Sequence, residues 1–249
     1  MPKRRHNVRF VVFMCTVTMA TLISQAALAQ RSIVAHEAFY KLRISILGGT
    51  LRTTVTETEN GFAAKSVIKP AGFARLFLHG SIEERSEFTV DAGGIRPLRY
   101  DSSDTLSKKD KFMTFNFDWV NAVVSGKINE QDFVFEFTGE VHDRVSIQYE
   151  LMHKLLNGVT RGDYALLDGD KLKQLQVSNI GTKTIKTPFG IFEAIGIQHR
   201  AKNSSRVSTL WCAEELGYLP VLIEQHRDGK RRVQAILTHY TPLDAESGR

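Results

Sequence analysis

The stretch FMTFNFDW, residues 112–119, decides the fold class. Met113, Phe115, Phe117 and Trp119 fall on one side of it, and Thr114, Asn116 and Asp118 on the other. Extended chain points successive side chains to opposite faces, so this alternation describes a strand with one face in a core and one in water. A helical turn of 3.6 residues would scatter the same rings around its axis.

The period of two recurs in both directions along the chain. Upstream, Tyr40, Leu42, Ile44 and Ile46 alternate with Lys41, Arg43 and Ser45, and Gly48-Gly49 is expected to end that strand. Further strands are predicted over 51–57, 62–68, 81–90 and 95–100, with Asn60-Gly61 as a tight turn. Residues 72–79 lean to a short helix. Downstream, a short strand is expected over 122–128, and Phe133, Phe135 and Phe137 alternate with Val134, Glu136 and Thr138. Strand patterns resume over 164–167, 172–178, 182–187, 191–199, 207–213, 219–227 and 233–240, the last two flanking an Asp228-Gly229 hairpin.

One segment breaks the rule. In HDRVSIQYELMHKLLNG, residues 142–158, apolar side chains recur at Val145, Tyr149, Met152 and Leu156. That is helical spacing, with Asp143 as the N-cap and Asn157-Gly158 as the stop, and it predicts a helix over 143–156. About a dozen strands and one helix predict a mainly β protein: a single curved antiparallel sheet, or half-open β-barrel, with one inserted amphipathic helix. An outer-membrane barrel is excluded by the Lys, Arg and Glu spread over many strands, where lipid would penalise them.

The N-terminus reads as a leader. Lys3, Arg4, Arg5 and Arg9 precede a mostly apolar run to Leu28, and Ala27-Leu28-Ala29 forms an A-x-A site. Residues 1–29 are therefore expected to be a signal peptide cut after Ala29, leaving 30–249 as one β-rich domain with a frayed tail at 244–249. This implies a periplasmic protein with no transmembrane anchor after cleavage. The whole chain carries a net +6, but four of its 33 basic residues leave with the leader, so the remainder is nearly balanced against 27 acids. No concentrated basic face argues for nucleic acid. Cys15 leaves as well, and Cys212 alone cannot form an intramolecular disulfide.

The segment LWCAEELGYLPV, residues 210–221, places Cys212 beside Glu214 and Glu215. Alternation predicts two strands joined by a turn, with Gly217 at its bend, Pro220 at a strand start and Cys212 as small apolar filler. The seven histidines after the leader form no H-x-H or H-E-x-x-H pattern, and no nucleophile elbow, phosphate loop or dinucleotide fingerprint is present. Neither catalytic residues nor a cofactor or metal are expected from spacing. The strongest candidate for ligand contact is the aromatic set Phe115, Phe117, Trp119, Phe133, Phe135 and Phe137, which is either ordinary core under the helix or one wall of an apolar pocket.

Several short motifs, in order, resemble one family. They are Asp143-Arg144-x-Ser146-x-x-Tyr149-x-Leu151, Thr187-Pro188-x-Gly190-x-Phe192, Trp211-x-Ala213 and Gly217-Tyr218-Leu219-Pro220-Val221, with Gly48-Gly49 upstream. Together they are similar to the bacterial envelope family known as domain of unknown function 3108, over about residues 36–240, with the weakest match over 102–138. The resemblance implies an exported β-rich protein and brings no reaction and no catalytic residues. Three functions follow as expectations. The first is non-enzymatic binding or carriage of an apolar or envelope-derived ligand, which predicts an enclosed apolar cavity. The second is a hydrolase using carboxylates such as Asp143 and Glu214. The third is a module docking on an envelope complex through a sheet edge.

Overall fold

Alternation turns into pairing along nearly the whole chain. The structure, a computed structural model, describes residues 33–243. The expected leader and the tail at 244–249 lie outside the described residues. In chain order the strands are β1 (His36–Ile44), β2 (Leu47–Thr58), β3 (Gly61–Pro70), β4 (Ile82–Asp91), β5 (Gly94–Asp104), β6 (Lys111–Asp118), β7 (Val123–Ile128) and β8 (Gln131–Glu136). The helix α1 (Ser146–Leu156) follows. Then come β9 (Gly162–Asp168), β10 (Lys171–Lys186), β11 (Ile191–Ala201), β12 (Arg206–Ala213), β13 (Leu219–Arg227) and β14 (Lys230–Pro242).

All fourteen form one antiparallel sheet in the order β8-β7-β6-β5-β4-β3-β2-β1-β14-β13-β12-β11-β10-β9. Every sheet neighbour is a chain neighbour except the β1/β14 pair, which joins two meanders, β1 to β8 and β9 to β14. The sheet is open, with β8 and β9 as its edges. The segment between them reaches from one edge to the other. Near β8, the Phe137 N–H donates to the Ala122 carbonyl at 2.9 Å. At β9, His142 forms a parallel bridge to Leu166. Bulges at Phe39/Tyr40, Glu87/Phe88, Asn179/Thr182, Trp211/Cys212 and Gln225/His226 bend individual strands and help the sheet curl.

The curl places α1 on the inner faces of β4 and β5. Tyr149 and Met152 join the larger core with Tyr40, Phe88, Tyr100, Phe115 and Leu237. Leu151 and Leu155 join a second core with Tyr164, Leu175, Val177, Ile197, Leu210 and Cys212. The helix is thus buried on two sides, which explains its broad apolar stripe. Each of the large buried side chains contributes roughly 1.5–3 kcal/mol.

Four expectations shift. Gly48-Gly49 does not end the first strand; the turn is Ser45-Ile46, and the two glycines lie inside β2 opposite Arg43 and Leu42. A Cβ on Gly49 would stand 3.0 Å from the Lys69 carbonyl, so these glycines allow close backbone approach to the end of β3. The strands expected over 172–178 and 182–187 are one strand, β10, bent at a bulge where Gly181 takes φ +96°. The helix begins at Ser146 and not at 143; Val145 stands at its N-terminus without a side-chain cap bond, and Asp143, two residues further back, accepts the N–H groups of Val145 and Ser146. The short helix expected near 72–79 is a 3₁₀ turn, Gly72–Leu76.

Candidate functional site

Strand β4 shows how the Asp-Arg motif works. Its inward residues Glu84, Ser86 and Phe88 lie two apart and are buried. Each meets one residue from α1 or from the turn just before it. Arg144 Nε reaches Glu84 Oε1 at 3.1 Å. Ser86 Oγ donates to Asp143 Oδ2 at 2.6 Å. Tyr149 stacks on Phe88 with centroids 5.4 Å apart. Asp143 Oδ1 also accepts the backbone N–H groups of Val145 and Ser146, both at 2.8 Å, while Ser146 Oγ accepts the Asp143 N–H at 2.9 Å. This reciprocal arrangement satisfies donors that a helix start leaves open. Burial pushes the Asp143 carboxyl up to about 6, against the pull of these hydrogen bonds.

A polar chain crosses from β4 to β10. The Tyr100 hydroxyl donates to Glu84 Oε1 at 2.6 Å. Arg144 Nε lies 3.9 Å from Asp168 Oδ1, and Asp168 pairs with Lys173. Burial, reinforced by the Glu84 charge, pushes the Tyr100 hydroxyl up and keeps it a donor.

Beside this chain opens a cleft of about 880 Å3, between α1 and the inner face of β9 to β14. Its floor is apolar: Leu151, Leu175 and Leu210 are buried, with Ile147, Leu166, Ile223 and Val233 around them. Its mouth is cationic, lined by Arg144, Lys173, Arg200, Lys202, Arg206 and Arg227 against only Glu84 and Asp168. Arg144 and Lys173 are paired with those acids. Among the described residues, Arg200, Lys202, Arg206 and Arg227 make no ion pair, and Arg206 stands directly opposite Arg227 across β12 and β13. Like charges facing each other on a sheet repel. His199 also lines the cleft, and burial lowers its pKa to about 4, so its ring is neutral at pH 7.

The cleft differs from the sealed apolar cavity expected of a carrier: it is open, and polar around the rim. Its walls also come from residues that spacing did not single out. Arg200, Arg206 and Arg227 sit on three different strands, and only strand pairing brings them together. The aromatic set lies elsewhere. Phe115, Phe117 and Phe137 are buried in the larger core, and Trp119, Phe133 and Phe135 pack against it. Phe115 meets Phe133 at 5.1 Å, and Trp119 meets Phe137 edge-on at 5.2 Å. Trp119 Nε1 donates to the Pro97 carbonyl at 2.7 Å.

The remaining motif residues shape turns and contacts. Gly190 closes a turn with Thr187, its N–H donating to Thr187 Oγ1 at 3.0 Å. Trp211 covers Gly196, where an added Cβ would stand 2.8 Å from the indole ring. Gly217 ends the 3₁₀ turn Glu214–Leu216 with φ +64°. Pro220 lies opposite Cys212 beside the Trp211/Cys212 bulge, before β13 begins to pair with β14, so its missing N–H breaks no ladder on that side. Cys212 is buried, and burial pushes its thiol up, which suits apolar filler and not a nucleophile. Of the motif residues named from the sequence, Arg144 and Leu151 line the cleft. The carboxylates considered for hydrolysis, Asp143 and Glu214, do not.

The fold defines a half-open, barrel-like antiparallel sheet wrapped on one helix. A crystal structure of a β-barrel-like protein of domain of unknown function DUF1849 from Brucella abortus shares this fold, with TM-score 0.58 at 12% identity, covering 86% of this chain and 100% of that one. A candidate lipoprotein from Parabacteroides distasonis aligns at TM-score 0.32 and 13% identity, covering 85% of this chain and 96% of that one. A comparison with curated proteins finds no match. The sequence pattern of the family "Protein of unknown function (DUF3108)" matches residues 37–233, and the chain belongs to that family.

Proposed function

We propose that the protein is an exported, periplasmic, non-enzymatic binder of an anionic amphiphile, a molecule with an apolar chain and a negatively charged head. The observation that carries this reading is the cleft itself, an apolar floor under a mouth with four cations that no acid in the described residues pairs. An apolar tail would replace water over Leu151, Leu175 and Leu210, and an anionic head would relieve the repulsion between Arg206 and Arg227. The volume falls within the roughly 300–1,000 Å3 of small-molecule sites. Export rests on the leader pattern of residues 1–29, and no helix among the described residues is long and apolar enough to cross a membrane.

A second feature supports loading at a lipid surface. The β1–β2 turn lies beside the start of β14, where the Ser45 N–H donates to the Arg232 carbonyl at 2.7 Å. This end of the sheet also carries the turn after β3. Ile46 is 95% exposed, Phe73 73% and Phe77 65%. The apolar tip and the cationic mouth therefore occupy the same end of the sheet.

The test is twofold. Native mass spectrometry and lipid extraction of protein purified from the envelope should recover an anionic amphiphile. Binding of oleate, followed by displacement of a fluorescent fatty acid, should weaken at least about tenfold in Arg206→Glu/Arg227→Glu and fall with added salt. Absence of oleate binding, or binding indifferent to both changes, overturns the proposal.

A further inference from the structure

On the face of α1 that meets β5, the fold gathers three groups far from the cationic mouth in chemistry. One potential ligand atom each from Glu140, His142 and Glu150 lies within 4.8 Å of the others. His142 is completely buried, yet neither ring nitrogen has a hydrogen-bond partner. Buried polar atoms in native proteins are nearly always satisfied, so an imidazole left with two open nitrogens beside two carboxylates calls for a ligand.

We propose that Glu140, His142 and Glu150 form a binding site for one divalent transition-metal ion of the zinc type. An imidazole nitrogen with two carboxylate oxygens is a donor set that suits zinc, which takes such ligands at about 2.0–2.2 Å. Calcium would need six to eight oxygens, and magnesium near-octahedral oxygen coordination. Three protein ligands leave a fourth position, and exposed Glu140 lies on the open side, where water can complete the shell.

Two of the ligands are held in advance. The His142 N–H donates to the Ala165 carbonyl at 2.9 Å, and its carbonyl accepts the Leu167 N–H at 2.8 Å, so β9 grips the backbone on both sides. Glu150 Oε2 accepts the Ile95 N–H at 2.7 Å, which fixes the carboxylate and leaves Oε1 buried without a hydrogen-bond partner. Gly94 makes room for that carboxylate; a Cβ there would stand 2.6 Å from Oε2. Such outer contacts orient ligands and are typical of built metal sites. Exposed Glu140 is the arm free to move and close the 4.8 Å spread.

One cation competes. Lys154 Nζ faces Glu150 Oε1 at 3.1 Å without hydrogen-bond geometry, and it donates to the Gly93 carbonyl at 2.7 Å. The Gly93 bond keeps Lys154 anchored when Glu150 turns to the ion. Removing the ammonium should therefore strengthen metal binding, a response that a purely structural cluster would not give.

The site is independent of the amphiphile reading. Chelator-stripped full chain would be titrated with Zn2+ by calorimetry and with Co2+ by visible absorption. One ion per chain and a Co2+ ligand-field spectrum are expected. Glu140→Gln, at an exposed position that leaves the fold intact, should weaken Zn2+ binding roughly ten- to hundredfold, and Lys154→Met should tighten it several-fold. His142→Gln should abolish the spectrum, with circular dichroism reporting whether it folds. No binding at one equivalent, or affinity unchanged in both Glu140→Gln and Lys154→Met, overturns the proposal.

Discussion

Gly126 shows how a single position can govern strand spacing. It faces Phe115 across β6 and β7, and a Cβ there would stand 1.8 Å from the Thr114 carbonyl oxygen. No rotamer can relieve a clash between Cβ and backbone. Gly126→Ala should therefore destabilise the protein by about 2–4 kcal/mol, read as a lower urea midpoint. His199 sets a pH dependence. Its folded pKa of about 4 lies below the ordinary 6.5, because burial disfavours the charged ring. Between those values the unfolded chain binds more protons than the native one. The stability associated with the neutral ring is thus complete above pH 6.5 and is lost as pH falls toward 4. At a half-buried site the loss is on the order of 1–2 kcal/mol. His199→Gln should flatten the melting temperature between pH 4.5 and 6.5; an unchanged slope would contradict this account.

At the scale of elements, α1 is fastened to β4 by three consecutive inward residues. Glu84 is almost fully buried, and Arg144 supplies its cationic partner. Removing either alone leaves the other with an unmet charge or hydrogen bond, so Arg144→Met and Glu84→Gln should each cost about 2–3 kcal/mol. The double variant should cost less than the sum, with a coupling of about 1–2 kcal/mol in a double-mutant cycle of chemical denaturation. Additive effects would mean that the pair is not the fastening. The motif's legibility was partial at this scale. Asp143 reads as a cap because acidic residues before a helical stripe satisfy its open N–H groups. That the same carboxylate also holds Ser86, 57 residues away, has no signature in local spacing.

For the whole molecule, the proposed amphiphile site predicts a cationic mouth that trades stability for binding. Arg206 and Arg227 face each other without an acid between them, which is unfavourable in the free protein. Arg206→Glu should convert this repulsion into attraction and raise stability by roughly 0.2–1 kcal/mol. The same change should weaken oleate binding. Thermal melts with and without oleate test both signs: the variant should melt higher alone and gain less from the ligand. A variant that melts lower alone, or gains as much, would show that the two arginines do not act as a pair.

The sequence by itself determined the class of fold. Strict alternation at Met113, Phe115 and Phe117 can bury one face only as a strand, and the Val145–Leu156 spacing can do so only as a helix, since each period matches one backbone geometry. Turn chemistry was equally local: Asp228-Gly229 makes its hairpin with both residues at positive φ. Only the tertiary structure decided which apolar residues are core and which are cleft floor. The rings from Phe115 to Phe137 alternate as a pocket wall would, yet Phe115, Phe117 and Phe137 lie in the core and the others pack against it, because a period names a face and not what lies opposite it. The arginines of the mouth and the Glu140, His142, Glu150 cluster were invisible for a related reason. Their members are separated along the chain or lie on different elements, and they converge only where strand register and the seating of α1 bring them together.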